Sequence, residues 1–366
     1  MNEIVYQHWF LSNEDISYSK KVKLIDYFYD SYNIFNASKS ELLNSRMLNE
    51  KAVDKFIANR EKYELYEEYE KFIHSPFSFT TVESADYPEK LKNIYDVPYG
   101  FFYIGKLPDF SKCISIVGAR RCSAYGKKLS ADLGRALGAE GFTVISGMAR
   151  GVDSYGHKGC LDAGGTTVAV LGCGCDIIYP AENHLLYEEI AKNGAVISEY
   201  QMGTNPVAMN FPRRNRIVSA LSDVVIVVEA REKSGSLITA DFALEQGKDI
   251  YVVPGRIGDS LSAGCNKLIS QGAGVIWDVN QFINELSQLY GAPKKISNKR
   301  SGKSIKIDLE PELLQVYNYF DLYPKSLSTV LEESGLDYLK LLSQVLALER
   351  MGLLSEPFKN NYVKQY

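Results

Sequence analysis

The chain of 366 residues carries 41 basic and 45 acidic side chains, a formal net charge of −4, so any nucleic-acid site must be a local basic patch. Its 45% hydrophobic and 23% charged residues are typical of a globular protein of two or three domains. The N-terminus shows no signal-peptide pattern and no apolar run approaches membrane-spanning length, which predicts a cytoplasmic protein without membrane contact.

The first 75 residues are charged and show helical periodicity. Apolar residues recur at helical spacing over residues 20–29, 39–43 and 50–73. This pattern predicts a helical N-terminal domain over residues 1–75.

The central part of the chain, residues 76–290, alternates short apolar runs with segments long enough for helices. An extra strand is predicted at residues 101–104. The following runs are β-branched and apolar at successive positions, as in strands buried on both faces; they cover residues 114–117, 143–146, 166–171, 195–198, 224–228, 250–253 and 274–276. The alternation predicts an α/β domain with a parallel sheet and helices on both faces.

The C-terminal part begins with a basic segment. Residues 291–307 contain Pro293, Gly302 and six basic side chains, which favours a solvated linker over a DNA-touching arm. Over residues 308–366, three predicted helices at 313–320, 326–334 and 338–351 precede two short strands at 352–354 and 362–364. This order is typical of a winged helix.

The six cysteines form no CxxC pair, so the sequence favours reduced, packed thiols over a zinc site. No other cluster of metal ligands is recognisable, and neither a metal nor a cofactor is predicted.

Ligands of parallel sheets bind at the carboxyl ends of the strands, so the turns there are the candidate sites. In the first turn Gly118 and Arg120 precede a helix and suit a phosphate group; Arg121 is expected to point elsewhere. In the second turn Gly147 allows close backbone approach, Asp153 is interpreted as a cap and His157 as a packing residue. The third turn, at residues 172–176, is interpreted as an ordinary tight turn.

Two further turns are also suited to anions. Residues 210–217 place Arg213, Arg214 and Arg216 at a helix N-terminus, with Asn215 between them and Phe211 before them. Phe211 either stacks on a base or packs. The last turn, with Ser234, Gly235, Ser236 and Thr239, suits either phosphate binding or helix capping. Several anion-ready turns at one sheet edge indicate a polyanionic ligand.

In combination, these motifs resemble the DNA-processing protein A family. The resemblance covers almost all of the sheet domain. It is carried by Val117-Gly-Ala-Arg120, Ser146-Gly-Met-Ala-Arg-Gly-Val-Asp153, Phe211-Pro-Arg-Arg-Asn-Arg216, Ser234-Gly-Ser-Leu-Ile-Thr-Ala240 and Gly264-Cys-Asn266-Lys-Leu-Ile269.

The resemblance implies an extended Rossmann-like domain, flanked by an N-terminal sterile-alpha-motif-like domain and a C-terminal winged helix. It implies a homodimer that binds single-stranded DNA without hydrolysing it, protects incoming DNA in natural transformation and loads RecA for homologous recombination. The implied DNA-binding residues are Gly118, Arg120, Gly147, Phe211, Arg213, Arg214, Asn215, Arg216, Ser234, Gly235, Ser236 and Thr239. The implied dimer edge contains Asn266, Leu268, Ile269, Val275 and Ile276, whose apolar members also suit an ordinary core.

Two other classes remain open from the sequence. A lysine-decarboxylase-like phosphoribohydrolase would share the Rossmann-like fold, but its turn carries a catalytic glutamate, whereas the comparable turn here, residues 234–239, contains no acid. A winged-helix transcription regulator would need a basic recognition helix, and residues 338–351 offer only Lys340 and Arg350.

Overall fold

The structure, a computed structural model, describes residues 3–291 and 309–365. The N-terminal part consists of six helices: α1 (Ile4–Ser12), α2 (Tyr18–Phe28), α3 (Ser31–Asn36), α4 (Lys39–Asn44), α5 (Glu50–Arg60) and α6 (Leu65–Ile73). The predicted helical character is confirmed, but α1 and α3 were not predicted. The helical spacing of apolar residues over 50–73 belongs to two helices, α5 and α6, separated at residues 61–64.

These helices bury a core of their own that continues onto the sheet domain. Trp9, Phe10 and Phe56 are almost fully buried, and Tyr99 and Phe102 from the sheet domain belong to the same cluster. Helix α4 begins with a capping box in which Ser38 and Glu41 exchange hydrogen bonds with each other's backbone N–H groups.

A sheet of nine strands forms the centre of the chain, in the order β1-β2-β6-β5-β4-β3-β7-β8-β9. Strands β3 to β9 pair in parallel, whereas β1 and β2 are antiparallel. The strands are β1 (Ser78–Thr81), β2 (Gly100–Gly105), β3 (Cys113–Val117), β4 (Thr143–Ser146), β5 (Thr167–Val170), β6 (Ala195–Ser198), β7 (Val224–Val227), β8 (Asp249–Val252) and β9 (Gly274–Val275).

All eight strands predicted for this domain are therefore confirmed, and β1 is additional. The Rossmann-like α/β fold expected from the resemblance is also confirmed.

Eight helices connect and cover the strands: α7 (Glu89–Lys92), α8 (Ala124–Ala139), α9 (Val152–Asp162), α10 (His184–Asn193), α11 (Asn210–Leu221), α12 (Gly235–Glu245), α13 (Ala263–Ser270) and α14 (Val279–Tyr290). Alternate residues of β7 show why its sequence is continuously apolar. Val225 and Val227 pack into the core beneath α11 and α12, and Val224 and Ile226 pack into the core beneath α8 and α14.

The C-terminal unit, residues 309–365, has its own core around Phe320, Val330 and Leu341. It contains α15 (Pro311–Asn318), α16 (Leu327–Ser334) and α17 (Tyr338–Arg350), with a small sheet of β10 (Lys325–Ser326), β12 (Asn361–Lys364) and β11 (Leu354–Phe358) in the order β10-β12-β11. The three predicted helices and the hairpin are present. The predicted linker, residues 291–307, lies outside the described residues except for Gly291.

Two further observations concern the whole of the described chain. All six cysteines are free, as the sequence analysis expected, and most are buried. None of the helices in residues 3–291 and 309–365 has the length and apolar character needed to cross a membrane.

Candidate nucleic-acid interface

A cavity of about 620 Å³ lies at the carboxyl ends of the parallel strands, where the sequence analysis placed the site. Its walls come from the turns after β3, β4 and β7 and from the first turns of α11. Ten of the twelve predicted DNA-binding residues line it: Gly118, Arg120, Gly147, Phe211, Arg214, Asn215, Ser234, Gly235, Ser236 and Thr239. Parallel pairing brings these turns together, because it aligns the ends of neighbouring strands.

The cavity is strongly basic although the chain is acidic. Its lining contains one acidic side chain, Asp153, and five basic ones: Arg120, Arg121, Arg214, Arg231 and Lys233. Arg214 is buried. The other four basic side chains, Arg120, Arg121, Arg231 and Lys233, form no ion pair with any residue that the structure describes. Arg121, which was expected to point elsewhere, is thus among the residues that line the cavity. Arg231 and Lys233 were missed as site residues because they lie before the Ser-Gly-Ser motif that drew attention to this turn.

Phe211 forms the aromatic part of the lining. The guanidinium carbon of Arg120 lies 5.2 Å from the centroid of its ring, and the ring of Tyr179 is 5.4 Å away at an angle of 34°. Phe211 remains partly exposed, and the cation over its ring, Arg120, is itself exposed. The turn after β5 contributes to this arrangement through Tyr179, which the sequence analysis left without a role.

Arg214 closes the base of the cavity from within the protein. Its Nη1 donates to the carbonyl oxygen of Gly147, 2.8 Å away, and to that of Val170, and its Nε donates to Asn215 Oδ1 at 3.1 Å. A Cβ atom on Gly147 would lie 2.4 Å from the guanidinium, so only glycine allows this approach. Burial lowers the pKa of Arg214, an effect opposed by the nearby carboxylate of Asp153.

Asp153 organises the turn after β4. Its Oδ2 accepts hydrogen bonds from the N–H groups of Gly147, at 3.1 Å, and Ala149, at 3.3 Å. Burial raises the pKa of this carboxyl, whereas Arg214 and the two N–H groups act in the opposite direction. Asp153 was interpreted as a helix cap. Instead its carboxylate binds N–H groups of the preceding loop, and Gly151 occupies the N-cap position of α9.

The structure does not bring Arg213 and Arg216 into the cavity, which corrects the expectation that all three arginines line it. The Nη2 and Nε atoms of Arg216 lie 2.6 Å and 2.9 Å from carboxylate oxygens of Glu199 and Asp96, and only 3% of its surface is exposed. Arg213 pairs with Asp96 at 3.3 Å and lies 4.7 Å from the ring centroid of Tyr18. Residues on one helix point in different directions, so Arg214 alone of the three faces the cavity.

Glu229, two residues after β7, stabilises the first turn, and its role was not predicted from the sequence. The Glu229 carboxylate accepts two hydrogen bonds from Ser123, one from the backbone N–H at 2.9 Å and one from the side-chain hydroxyl at 2.5 Å. Ser123 in turn caps α8 by accepting from Gly126 N–H. A Cβ atom on Gly126 would lie 2.4 Å from the Glu229 carboxylate, so the glycine is needed for this contact. In the sequence, only the pattern Ser-x-x-Gly after β3, formed by Ser123 and Gly126, indicated this contact.

His157 is a packing residue, as expected from the sequence. It is fully buried, its Nδ1 lies 2.6 Å from Thr167 Oγ1, and burial lowers the pKa of the ring to about 3. In residues 3–291 and 309–365 no three His, Cys, Asp or Glu side chains are grouped as a metal site would require.

The residues of the predicted dimer edge differ in exposure: some lie in the core and one is exposed at the edge of the sheet. Leu268 and Ile276 belong to the core and Ile269 packs against it, so they are not exposed anchors, which corrects part of that prediction. Asn266 exchanges hydrogen bonds with the backbone of Gly255. Val275 is 38% exposed on the edge strand β9.

Comparison with known proteins places this architecture among relatives. The model of the DNA recombination-mediator protein A family matches residues 78–287, which include the whole cavity. The chain belongs to this family. It is similar to the protein Smf of Synechocystis sp., with 32% identity over 337 residues that cover 84% of this chain and 85% of the relative.

Two solved structures of DNA processing protein A resemble this chain in fold. The DNA processing protein A of Streptococcus pneumoniae matches with a TM-score of 0.67 and 32% identity, over 77% of this chain and 97% of that one. The DNA processing protein A of Helicobacter pylori, which binds single-stranded DNA, matches with a TM-score of 0.54 and 35% identity, over 58% of this chain and 98% of that one.

Proposed function

We propose that this protein binds single-stranded DNA in the cavity at the sheet edge, without hydrolysing it. The observation that carries the proposal is the lining itself, which combines five basic side chains, four of them without an ion pair in the described chain, with a partly exposed phenylalanine. The membership of the family and the single-stranded DNA bound by the Helicobacter pylori relative support it.

The proposed phosphate contacts come from Arg120 and from the glycine- and serine-rich turns. Arg120 is exposed, and its planar guanidinium offers two parallel hydrogen bonds to a phosphate group. Ser234 and Ser236 stand at the start of α12, where their two hydroxyl groups, 2.7 Å apart, and the positive end of the helix favour an anion. Gly118 and Gly147, which have no side chain, let the sugar–phosphate backbone of the DNA come close to the protein backbone.

The proposed base contact is Phe211. Stacking of a base on an aromatic side chain tolerates any sequence and requires an unpaired base, which a single strand supplies and a duplex does not. Arg214 and Asn215 are proposed to support the wall behind it. This combination favours single-stranded over double-stranded DNA.

The acids beside the cavity are occupied, which supports binding without catalysis. Asp153 accepts two backbone hydrogen bonds, and Glu229, behind the first turn, accepts two from Ser123. Neither carboxylate is free to act as a general base towards a bound nucleotide. The engagement of both carboxylates disfavours the phosphoribohydrolase alternative.

The remaining assignments belong to the same proposal. We infer that the chain is divided into a helical domain at 1–75, a DNA-binding domain at 76–290, a linker at 291–307 and a winged-helix-like domain at 308–366. In the cell, the protein would act in the cytoplasm as a homodimer, protecting incoming strands during transformation and loading RecA.

The test is the affinity for fluorescently labelled single-stranded and duplex oligonucleotides over a salt series. We expect tighter binding of the single strand, with affinity falling as salt rises because counterions are released from the phosphates. Equal affinity for the duplex, or strand cleavage on addition of magnesium, would contradict the proposal.

A further inference from the structure

Tyr323 of the C-terminal unit lies against the sheet domain. Its ring stacks on the ring of Tyr125, with centroids 5.6 Å apart and an angle of 23° between the planes. The guanidinium carbon of Arg256 lies 3.9 Å from the centroid of the Tyr323 ring. One aromatic ring of the C-terminal unit is thus held by a tyrosine and an arginine of the sheet domain.

The two residues that hold Tyr323 stand at the same sheet edge as the cavity. Tyr125 lies in the first turn of α8, four residues after Arg121, which lines the cavity. Arg256 follows β8 and precedes Leu261, another lining residue, whose carbonyl oxygen accepts a hydrogen bond from Ala230 N–H at 2.8 Å. Tyr125 and Arg256 are therefore close in the chain to lining residues of the cavity, Arg121 and Leu261.

The chemistry of this contact is that of a base-binding site. Proteins that hold single strands stack bases on aromatic rings and add cation–π contacts from arginine. Tyr323 is half-buried between an aromatic ring, that of Tyr125, and the guanidinium group of Arg256. Its own ring is similar in size to a pyrimidine. Arg256 is exposed and carries no ion pair in the described chain, so its charge is available to the phosphate of a nucleotide placed there.

We propose that Tyr125 and Arg256 form a second, base-stacking subsite for single-stranded nucleic acid and that Tyr323 occupies it in the strand-free protein. The C-terminal unit then acts as a latch that a long strand must displace. This inference rests on the proposed function, because the strand reaches the subsite from the cavity.

A latch predicts that removing it strengthens binding, unlike the loss of an ordinary ligand contact. Tyr323→Ala leaves Tyr125 and Arg256 in place and frees their surfaces. The affinity for a long strand should rise by about fivefold, the size expected for release of one aromatic stack and one cation–π contact. A short strand confined to the cavity should bind as it does to the unmodified protein.

The experiment uses the full chain with oligothymidylates of about 20 and about four nucleotides, lengths that bracket the range held by one single-strand-binding module. Tyr323→Phe keeps the ring and should behave as the unmodified protein. Phe358→Ala removes an exposed aromatic residue elsewhere in the C-terminal unit and is the matched control. Tyr125→Ala should weaken binding of the long strand and abolish the gain from Tyr323→Ala in the double variant.

The outcomes separate the two proposals. If the unmodified protein binds the long strand and Tyr323→Ala binds it equally or more weakly, the latch is wrong and the proposed function stands. If neither protein binds either strand, both proposals fail. If the gain appears equally with the short strand, the subsite is not separate from the cavity and the inference is overturned.

Discussion

The guanidinium of Arg120 lies over the ring of Phe211, 5.2 Å from its centroid, although the two residues follow different strands. The pair places a positive charge and an aromatic ring side by side, the two kinds of group that proteins use to hold a single strand. Phe211 reaches this position because Gly172 has no side chain; a Cβ atom there would lie 2.8 Å from the ring.

Arg120→Ala tests the phosphate contact. Loss of one charge-assisted contact should weaken single-strand binding by about 1.5–3 kcal/mol. The slope of log affinity against log salt should become shallower by roughly 0.7. Because Arg121 also lines the cavity, the matched control is Arg135→Ala on α8, an arginine paired with Asp132 and Asp162. Unchanged binding by Arg120→Ala would place the phosphate site elsewhere.

Gly147→Ala tests the close approach of Arg214. The added methyl group would collide with the buried guanidinium and displace it from the carbonyl oxygens of Gly147 and Val170. We expect the free energy of unfolding to fall by about 1–3 kcal/mol, measured by chemical denaturation. Gly235→Ala, where a Cβ atom meets nothing within 4 Å, should change stability by less than about 0.5 kcal/mol. Equal stability of the two variants would refute this account of Gly147.

Arg216→Ala tests the assignment of this arginine to an ion pair instead of the cavity. It would leave Glu199, 2% exposed, as a buried carboxylate without its main partner. The free energy of unfolding should fall by about 3–5 kcal/mol, and Glu199→Gln in the same chain should recover part of the loss. Folded protein should still bind the single strand with unchanged salt dependence. A shallower salt slope with little loss of stability would instead indicate a phosphate contact.

His8→Phe tests the pH dependence of stability. Burial lowers the pKa of His8 to about 4, and its Nδ1 has no partner in the described chain. The unfolded chain therefore takes up a proton near pH 6.5 while the folded chain does not, so His8 destabilises the protein as the pH falls from 6.5 towards 4.

A phenylalanine at this position would pack against Phe72, whose ring centroid is 4.4 Å from that of His8. The loss of stability between pH 7 and pH 5 should then be smaller by about 2 kcal/mol. His74→Gln, at an 80% exposed side chain, should leave the pH profile unchanged. An unchanged profile in His8→Phe would show that His8 titrates normally in the folded protein.

Val275→Asp tests the proposed dimer. Val275 lies on the edge strand β9, next to Trp277, which is 72% exposed. Sedimentation at micromolar concentration should show a dimer for the unmodified protein and a monomer for the variant, because a charge there is costly to bury. Leu185→Asp on α10, at another exposed apolar residue, is the control and should remain dimeric. A monomer for the unmodified protein would contradict the dimer directly.

The sequence by itself determined the parallel sheet and the position of the site. Runs such as residues 224–228 are apolar at every position because both faces of β7 are covered, and this pattern is local in the chain. Once the strands are known to be parallel, their following turns must meet at one edge, so Gly118, Gly147 and Ser234 could be grouped without coordinates.

Only the tertiary structure decided which side chains face the cavity. Arg213, Arg214 and Arg216 look equivalent in the sequence. Asp96, which lies 117 residues before Arg213, and Glu199, which directly follows β6, bind two of them and leave Arg214 to the cavity. The contact between Tyr323 and Tyr125 likewise joins two parts of the chain that each have a core of their own. Charge pairing and stacking depend on distances in space, which local periodicity does not encode.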